Sequence, residues 1–103
     1  MEYIMDNIAK IALKNAEVGP RGQYLLAQGD DLQMRVWKQS PDINKEPHAN
    51  EYEVAGFVLE GRARLRAGEN VTELTAGDSW VVPAGVEHQY EILEPFATVE
   101  VVG

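Results

Sequence analysis

Apolar residues in this chain come in short runs, cut by glycine, proline, asparagine or aspartate roughly every ten positions. The run boundaries predict strands over 10–13, 23–27, 32–38, 53–59, 62–66, 71–74, 79–82, 87–93 and 98–102. Many short strands separated by turns mark an all-β sandwich or barrel. Gly19-Pro20-Arg21-Gly22, Gly29-Asp30-Asp31 and Gly68-Glu69-Asn70 read as turns, and 40–45 is the longest irregular stretch. Only the N-terminal extension over 1–9 departs from this pattern. Ile4, Ile8 and Ile11 fall near helical spacing and predict a short N-terminal helix.

Alternation within a strand assigns its faces, because successive side chains point to opposite sides. Leu32, Met34 and Val36 share one face, which sends Gln33 and Arg35 outward. Arg62, Arg64 and Arg66 share another face, with Glu73 as a cross-strand partner. The run over 54–59 is apolar on both sides: Val54 and Val58 on one, Ala55, Phe57 and Leu59 on the other. A strand apolar on both faces is covered on both. A barrel lumen covers only one, so a homodimer is expected.

Composition narrows the class. A length of 103 residues suits one domain over 1–103, and 45% hydrophobic residues supply a small core. The net charge is −8, with 17 acidic against 9 basic residues, which argues against a nucleic-acid partner. The absence of cysteine excludes thiolate metal sites, disulfides and a cysteine nucleophile. The N-terminus lacks a basic region followed by an apolar run, and no stretch is long and apolar enough to span a bilayer. No membrane association and a cytoplasmic location are therefore expected.

The densest local signal is the segment Gly77-Asp78-Ser79-Trp80-Val81-Val82-Pro83-Ala84-Gly85-Val86-Glu87-His88. It reads as turn, short apolar strand, second turn and polar strand, since proline and glycine together force a tight reversal. A histidine just beyond such a reversal stands at the mouth of a β structure. The other histidine opens the segment His48-Ala49-Asn50-Glu51-Tyr52-Glu53-Val54, which runs on to Gly61. These two segments resemble the two motifs of the cupin superfamily. Gly77, Pro83, Gly85 and His88 match every position of the second motif, and His48 and Gly61 match the ends of the first. The resemblance implies a double-stranded β-helix (jelly-roll) barrel with its core over 32–102.

The first motif is degenerate. Cupin metal centres usually use three histidines and one glutamate. In this chain Asn50 stands at the second histidine position and Val54 at the glutamate position, so His48 and His88 alone survive. They are the candidate ligands for one divalent transition metal (Fe, Zn, Mn or Ni), a cofactor this chain need not retain. Asn50 offers a neutral oxygen as third donor, and Glu53 reaches inward only if a bulge reverses its parity. Without metal, the two imidazoles become polar groups of a pocket. Asn50, Tyr52 and Tyr90 are the candidate ligand-binding residues, because alternation places 48, 50, 52 and 88, 90 on the histidine faces. Both tyrosines also suit simple aromatic packing. Three functions stay open. One is a cupin barrel binding a small molecule at its mouth, with a weak or altered metal site. Another is a metal-dependent enzyme of dioxygenase or isomerase type using His48 and His88. The third is a metal-free sensor or scaffold.

Overall fold

The computed structural model describes residues 8–103. The helix expected over 1–9 falls outside the described residues except for Ile8 and Ala9, which have no regular structure. The described chain is almost entirely β. Its strands are β1 (Glu17–Val18), β2 (Tyr24–Gln28), β3 (Gln33–Gln39), β4 (Val54–Glu60), β5 (Arg62–Ala67), β6 (Asn70–Thr75), β7 (Ser79–Val82), β8 (Gln89–Ile92) and β9 (Phe96–Val102). The strand expected over 10–13 does not form. A single 3-10 turn over Leu13–Asn15 follows an extended stretch there, and the first of the described residues to find a pairing partner are Glu17 and Val18.

Two antiparallel sheets make a jelly roll. The larger has the order β1-β2-β3-β9-β4-β7 and the smaller β6-β5-β8. The last strand, β9, therefore inserts between β3 and β4, pairing along its whole length with β3. Two isolated bridges extend the small sheet beyond β8, joining Asp42 to Ile92 and His48 to His88.

Inward residues divide the barrel into a packed half and an open half. Val58, Ala63, Leu74, Ile92 and Phe96 form the core, each at most 2% exposed. Trp80 and Tyr90 pack on this cluster, and the Trp80 indole N–H donates to the Tyr90 hydroxyl at 3.0 Å. Beyond that pair the lumen is polar.

That polarity reverses the face assigned to the third predicted strand. Arg35 and Trp37 point into the lumen, and Met34 and Val36 lie on the outer face of the large sheet. The alternation rule places apolar residues inside, but this lumen is lined by charge and the outer face is the apolar one. Glu100 on β9, directly opposite Arg35, shares the inward face. The arginine row of β5 behaves as its alternation predicts. Arg62 meets Glu73 and Glu94, and Arg64 and Arg66 both meet Glu91, on the outside of the small sheet. Such exposed pairs each contribute roughly 0–1 kcal/mol.

On the outer face of β4, Phe57 is 44% and Leu59 49% exposed, and Val81 on the adjoining β7 is 56% exposed. This is the surface from which a homodimer is expected. Light scattering at micromolar concentration should return twice the chain mass; one chain mass would refute that expectation.

Candidate functional site

The open half of the barrel is a cavity of about 360 Å³. Its floor and walls are Arg35, Trp37 and Gln39 from β3, Val54 from β4, Tyr90 from β8, Glu100 from β9, and His88 just before β8. Arg21, Asp42, Lys45, Glu46, His48 and Asn50 surround its mouth.

The two histidines are brought together by backbone pairing. Each donates its backbone N–H to the other's carbonyl at 2.9 Å, which sets the residues directly opposite each other across two antiparallel segments. Opposed residues share a face, so the rings meet with centres 4.5 Å apart and planes inclined by 50°. His88 is buried, with Nδ1 2.9 Å from the Val86 carbonyl. A carbonyl only accepts, so Nδ1 carries the hydrogen and Nε2 keeps its lone pair in the neutral ring. His48 is exposed at the mouth. From Asp42 to His48 the chain takes two residues more than the facing stretch from His88 to Ile92. The excess bows outward and puts Lys45 and Glu46 on the rim, and the Gln89 side-chain amide holds it by donating to the Lys45 carbonyl at 2.7 Å.

The protein surroundings lower the His48 pKa below its ordinary 6.5. Desolvation is the largest cause, followed by the adjacent His88 and by Arg21; a backbone hydrogen bond at Glu46 and the Glu100 carboxylate act in the opposite direction. The folded ring thus gives up its proton more readily than the unfolded one. Its contribution to stability is complete above pH 6.5 and is lost as pH falls through the lowered value. A ring-proton NMR titration should place the His48 midpoint below 6.5, and the His88→Ala variant should bring it closer to 6.5. A wild-type midpoint at or above 6.5 would contradict the assigned causes. Burial pushes the Tyr90 phenol well above its ordinary range, so it stays protonated.

The remaining candidates divide. Asn50 lines the cavity, and its carbonyl accepts the Gly85 N–H at 2.8 Å, tying the first histidine segment to the turn before His88. Tyr90 lines the cavity next to His88, ring centres 5.5 Å apart. Tyr52 does not line it. The chain bends at Glu51 and Tyr52, so strand parity is lost after Asn50, and Tyr52 faces a shallow depression with Asp30, Asp31 and Gln33. Glu53 is exposed and outside the cavity. The bulge needed to turn it inward is absent, because β4 pairs in regular register from Val54 and its only shift falls between Val58 and Glu60.

Alternation alone did not find the Arg35–Glu100 pair. Arg35 Nε donates to Glu100 Oε1 at 3.0 Å, and the Trp37 indole N–H donates to the same oxygen at 2.8 Å. The two side chains are only 12% and 11% exposed. The Arg35 guanidinium also lies 5.6 Å from the Trp37 ring centre and 6.0 Å from that of Tyr52. The available signal was Glu100 itself, a lone carboxylate in the β-branched run Thr98-Val99-Glu100-Val101-Val102.

A family model for the cupin domain matches residues 34–102. No curated protein matches the chain. Solved structures with the same fold include an RmlC-like cupin from Shewanella frigidimarina, with a TM-score of 0.80 and 19% identity over 93% of this chain and 90% of that one. KdgF from a Halomonas species gives 0.71 and 23% identity over 78% and 74%. An uncharacterised conserved protein with a double-stranded β-helix domain from Klebsiella pneumoniae gives 0.71 and 22% over 94% and 90%. At these identities the likeness is one of fold.

Proposed function

The chain belongs to the cupin domain family, and from that membership we propose that the open end of its barrel binds a small polar molecule. The observation that carries this reading is the cavity of about 360 Å³ with His88, Tyr90, Arg35 and Glu100 converging on it. Trp37, Tyr90 and Val54 give this concave site its apolar surface, and the charged and polar side chains that make up the rest of the lining suit a polar ligand.

The donor set does not fit a family-type metal centre. His48 and His88 supply two imidazoles, Asn50 is neutral, and the glutamate position holds the apolar Val54. Glu53 lies outside, and one oxygen of Glu100 already accepts from both Arg35 and Trp37. Among the described residues no group of three or more histidine, aspartate or glutamate side chains is arranged to hold a metal. Two imidazoles without an anionic third donor make a weak site. The reading is therefore a ligand-binding cupin with an altered, weak metal site. A dioxygenase-type centre would need a carboxylate beside the two histidines.

The two tryptophans are built-in reporters. The Trp37 indole N–H sits on the floor of the cavity and that of Trp80 at the boundary with the packed core. A screen of small polar molecules by proton–nitrogen NMR should yield binders that shift the Trp37 indole signal. The His48→Ala, His88→Ala double variant should weaken them at least tenfold, about 1.4 kcal/mol. A screen in which nothing moves Trp37 would reject the binding role. Stoichiometric metal in protein purified without an affinity tag, lost in the double variant, would reject the weak-metal part.

A further inference from the structure

We propose that the molecule bound in this lumen is a small hydroxycarboxylate whose carboxylate sits on the terminal nitrogens of Arg35. The inference rests on the binding role proposed above and adds the chemical class of the ligand.

The argument begins with how Arg35 is held. Among the described residues, its guanidinium makes one hydrogen bond, from Nε to Glu100 Oε1. The two terminal nitrogens make none to any described residue. No side-chain nitrogen or oxygen among the described residues is both buried and without a partner, so those nitrogens keep access to solvent. Arg35 lines the main cavity, and the lumen is where that access lies. Anchoring by Nε leaves the opposite edge of the guanidinium open, with two parallel N–H groups. That edge matches the two oxygens of a carboxylate. Trp37 fixes the arrangement from below: its indole N–H holds the Glu100 oxygen that holds Arg35.

A buried ion pair is a poor choice for stability alone, since an apolar pair of similar volume serves as well or better. Placed on the floor of a cavity with one edge open, it makes sense as a recognition element. Glu100 then acts as a positioning residue for Arg35.

The charge around the mouth does not compete with this reading. Arg21 and Lys45 are balanced by Asp42 and Glu46, and Asp42 Oδ1 already accepts the Asn44 N–H at 2.8 Å. The balanced rim sets up no general attraction for anions, so selectivity must come from the directional fork. The opposite wall supplies the second half of the ligand's description. In the neutral ring His88 Nε2 presents a lone pair, because the Nδ1 hydrogen is directed to the Val86 carbonyl. It accepts a hydrogen bond and therefore calls for a hydroxyl donor. The Tyr90 hydroxyl accepts from Trp80 and keeps its own hydrogen to donate.

Matched sets of probes test the class: lactate, lactamide and propionate, and mandelate, mandelamide and phenylacetate. Titrations followed by the Trp37 indole signal should show the hydroxy acid of at least one set binding tenfold or more tighter than its amide. The acid lacking the hydroxyl should fall between them. Arg35→Lys keeps the charge and removes the fork, and should weaken the hydroxy acid at least tenfold more than it weakens the amide. The Arg35→Gln, Glu100→Gln double variant, which preserves a neutral hydrogen-bonded pair, should abolish the preference for acid over amide. Equal binding of acid and amide, or an Arg35→Lys variant that binds like the wild type, would overturn the inference. If neutral molecules shift Trp37 but acids have no advantage, the lumen still binds a small molecule and only the carboxylate is wrong. If no molecule of any class shifts Trp37, the binding role falls and this inference with it.

Discussion

Replacing Gly61 by alanine is expected to remove a large part of the stability of this protein. Gly61 is the one residue between β4 and β5, where the chain leaves the large sheet for the small one. Its φ is +89°, a conformation that side chains disfavour by roughly 1–2 kcal/mol. A methyl group there would also collide with the Pro95 carbonyl oxygen and lie 2.9 Å from the Cα of Phe96. These are backbone atoms at the start of β9, which is pinned between β3 and β4, so they have no easy way to yield. Overpacking of this kind costs roughly a further 1–3 kcal/mol. Together the two terms reach about 2–5 kcal/mol against a total of about 5–15. The melting temperature should fall by at least roughly 10 °C. Gly68→Ala is the control, because its φ is also positive at +61° but nothing lies within 4 Å of the added carbon. It should show the backbone cost alone. Equal losses in urea denaturation of the two variants would mean that the contact with Pro95 relaxes, and the prediction would fail.

The same segment shows what the chain discloses in advance. Turn residues and short apolar runs were enough to place β2 to β9 within a few residues, because strand ends here are set by local chemistry. Gly61, Gly77 and Gly85 all carry positive φ, which is why their spacing was legible as turns. His48 and His88 could be paired in advance because the motif spacing sets them beside two turns, and the structure makes them direct cross-strand neighbours. Parity failed where the strand did. After Asn50 the backbone bends, so Tyr52 and Glu53 could not be placed by counting. The 10–13 run has apolar residues but no strand beside it, a tertiary fact that no local pattern contains.

The deeper misreading concerned Arg35. Alternation fixes that Arg35 and Val36 face opposite ways, but not which way is in. Hydrophobicity normally decides, and here it decides wrongly, because the large sheet is apolar on its outer face and polar on part of its inner one. Met34 and Val36 belong to the same outer surface as Phe57 and Leu59. The correct face follows only when Arg35 is set opposite Glu100. That pairing joins residues 65 positions apart and exists only once β9 has inserted next to β3.

Arg35→Met should therefore destabilise the protein by about 3 kcal/mol, at the low end for breaking a buried pair because lumen water still reaches both groups. Among the described residues, Glu100 would keep only the Trp37 indole as a donor. Glu100→Leu should cost at least as much, since it strands the Arg35 charge and also leaves the Trp37 N–H without its acceptor, roughly 1–3 kcal/mol on its own. The double variant Arg35→Met, Glu100→Leu removes both charges together. It should recover most of the loss, ending within about 1–2 kcal/mol of the wild type, the residue being the unpaired indole. Urea denaturation of the four proteins measures this as a coupling energy, expected at about 4 kcal/mol or more from these losses. Simple additivity of the two single losses would show that the groups do not hold each other, and Arg35 would then lack the anchor that aims its free edge at the lumen. Near-recovery of stability without recovery of ligand binding is the result that separates the two roles. It would mean that the packing of the barrel tolerates an apolar floor, and that the charged pair is kept for what it recognises.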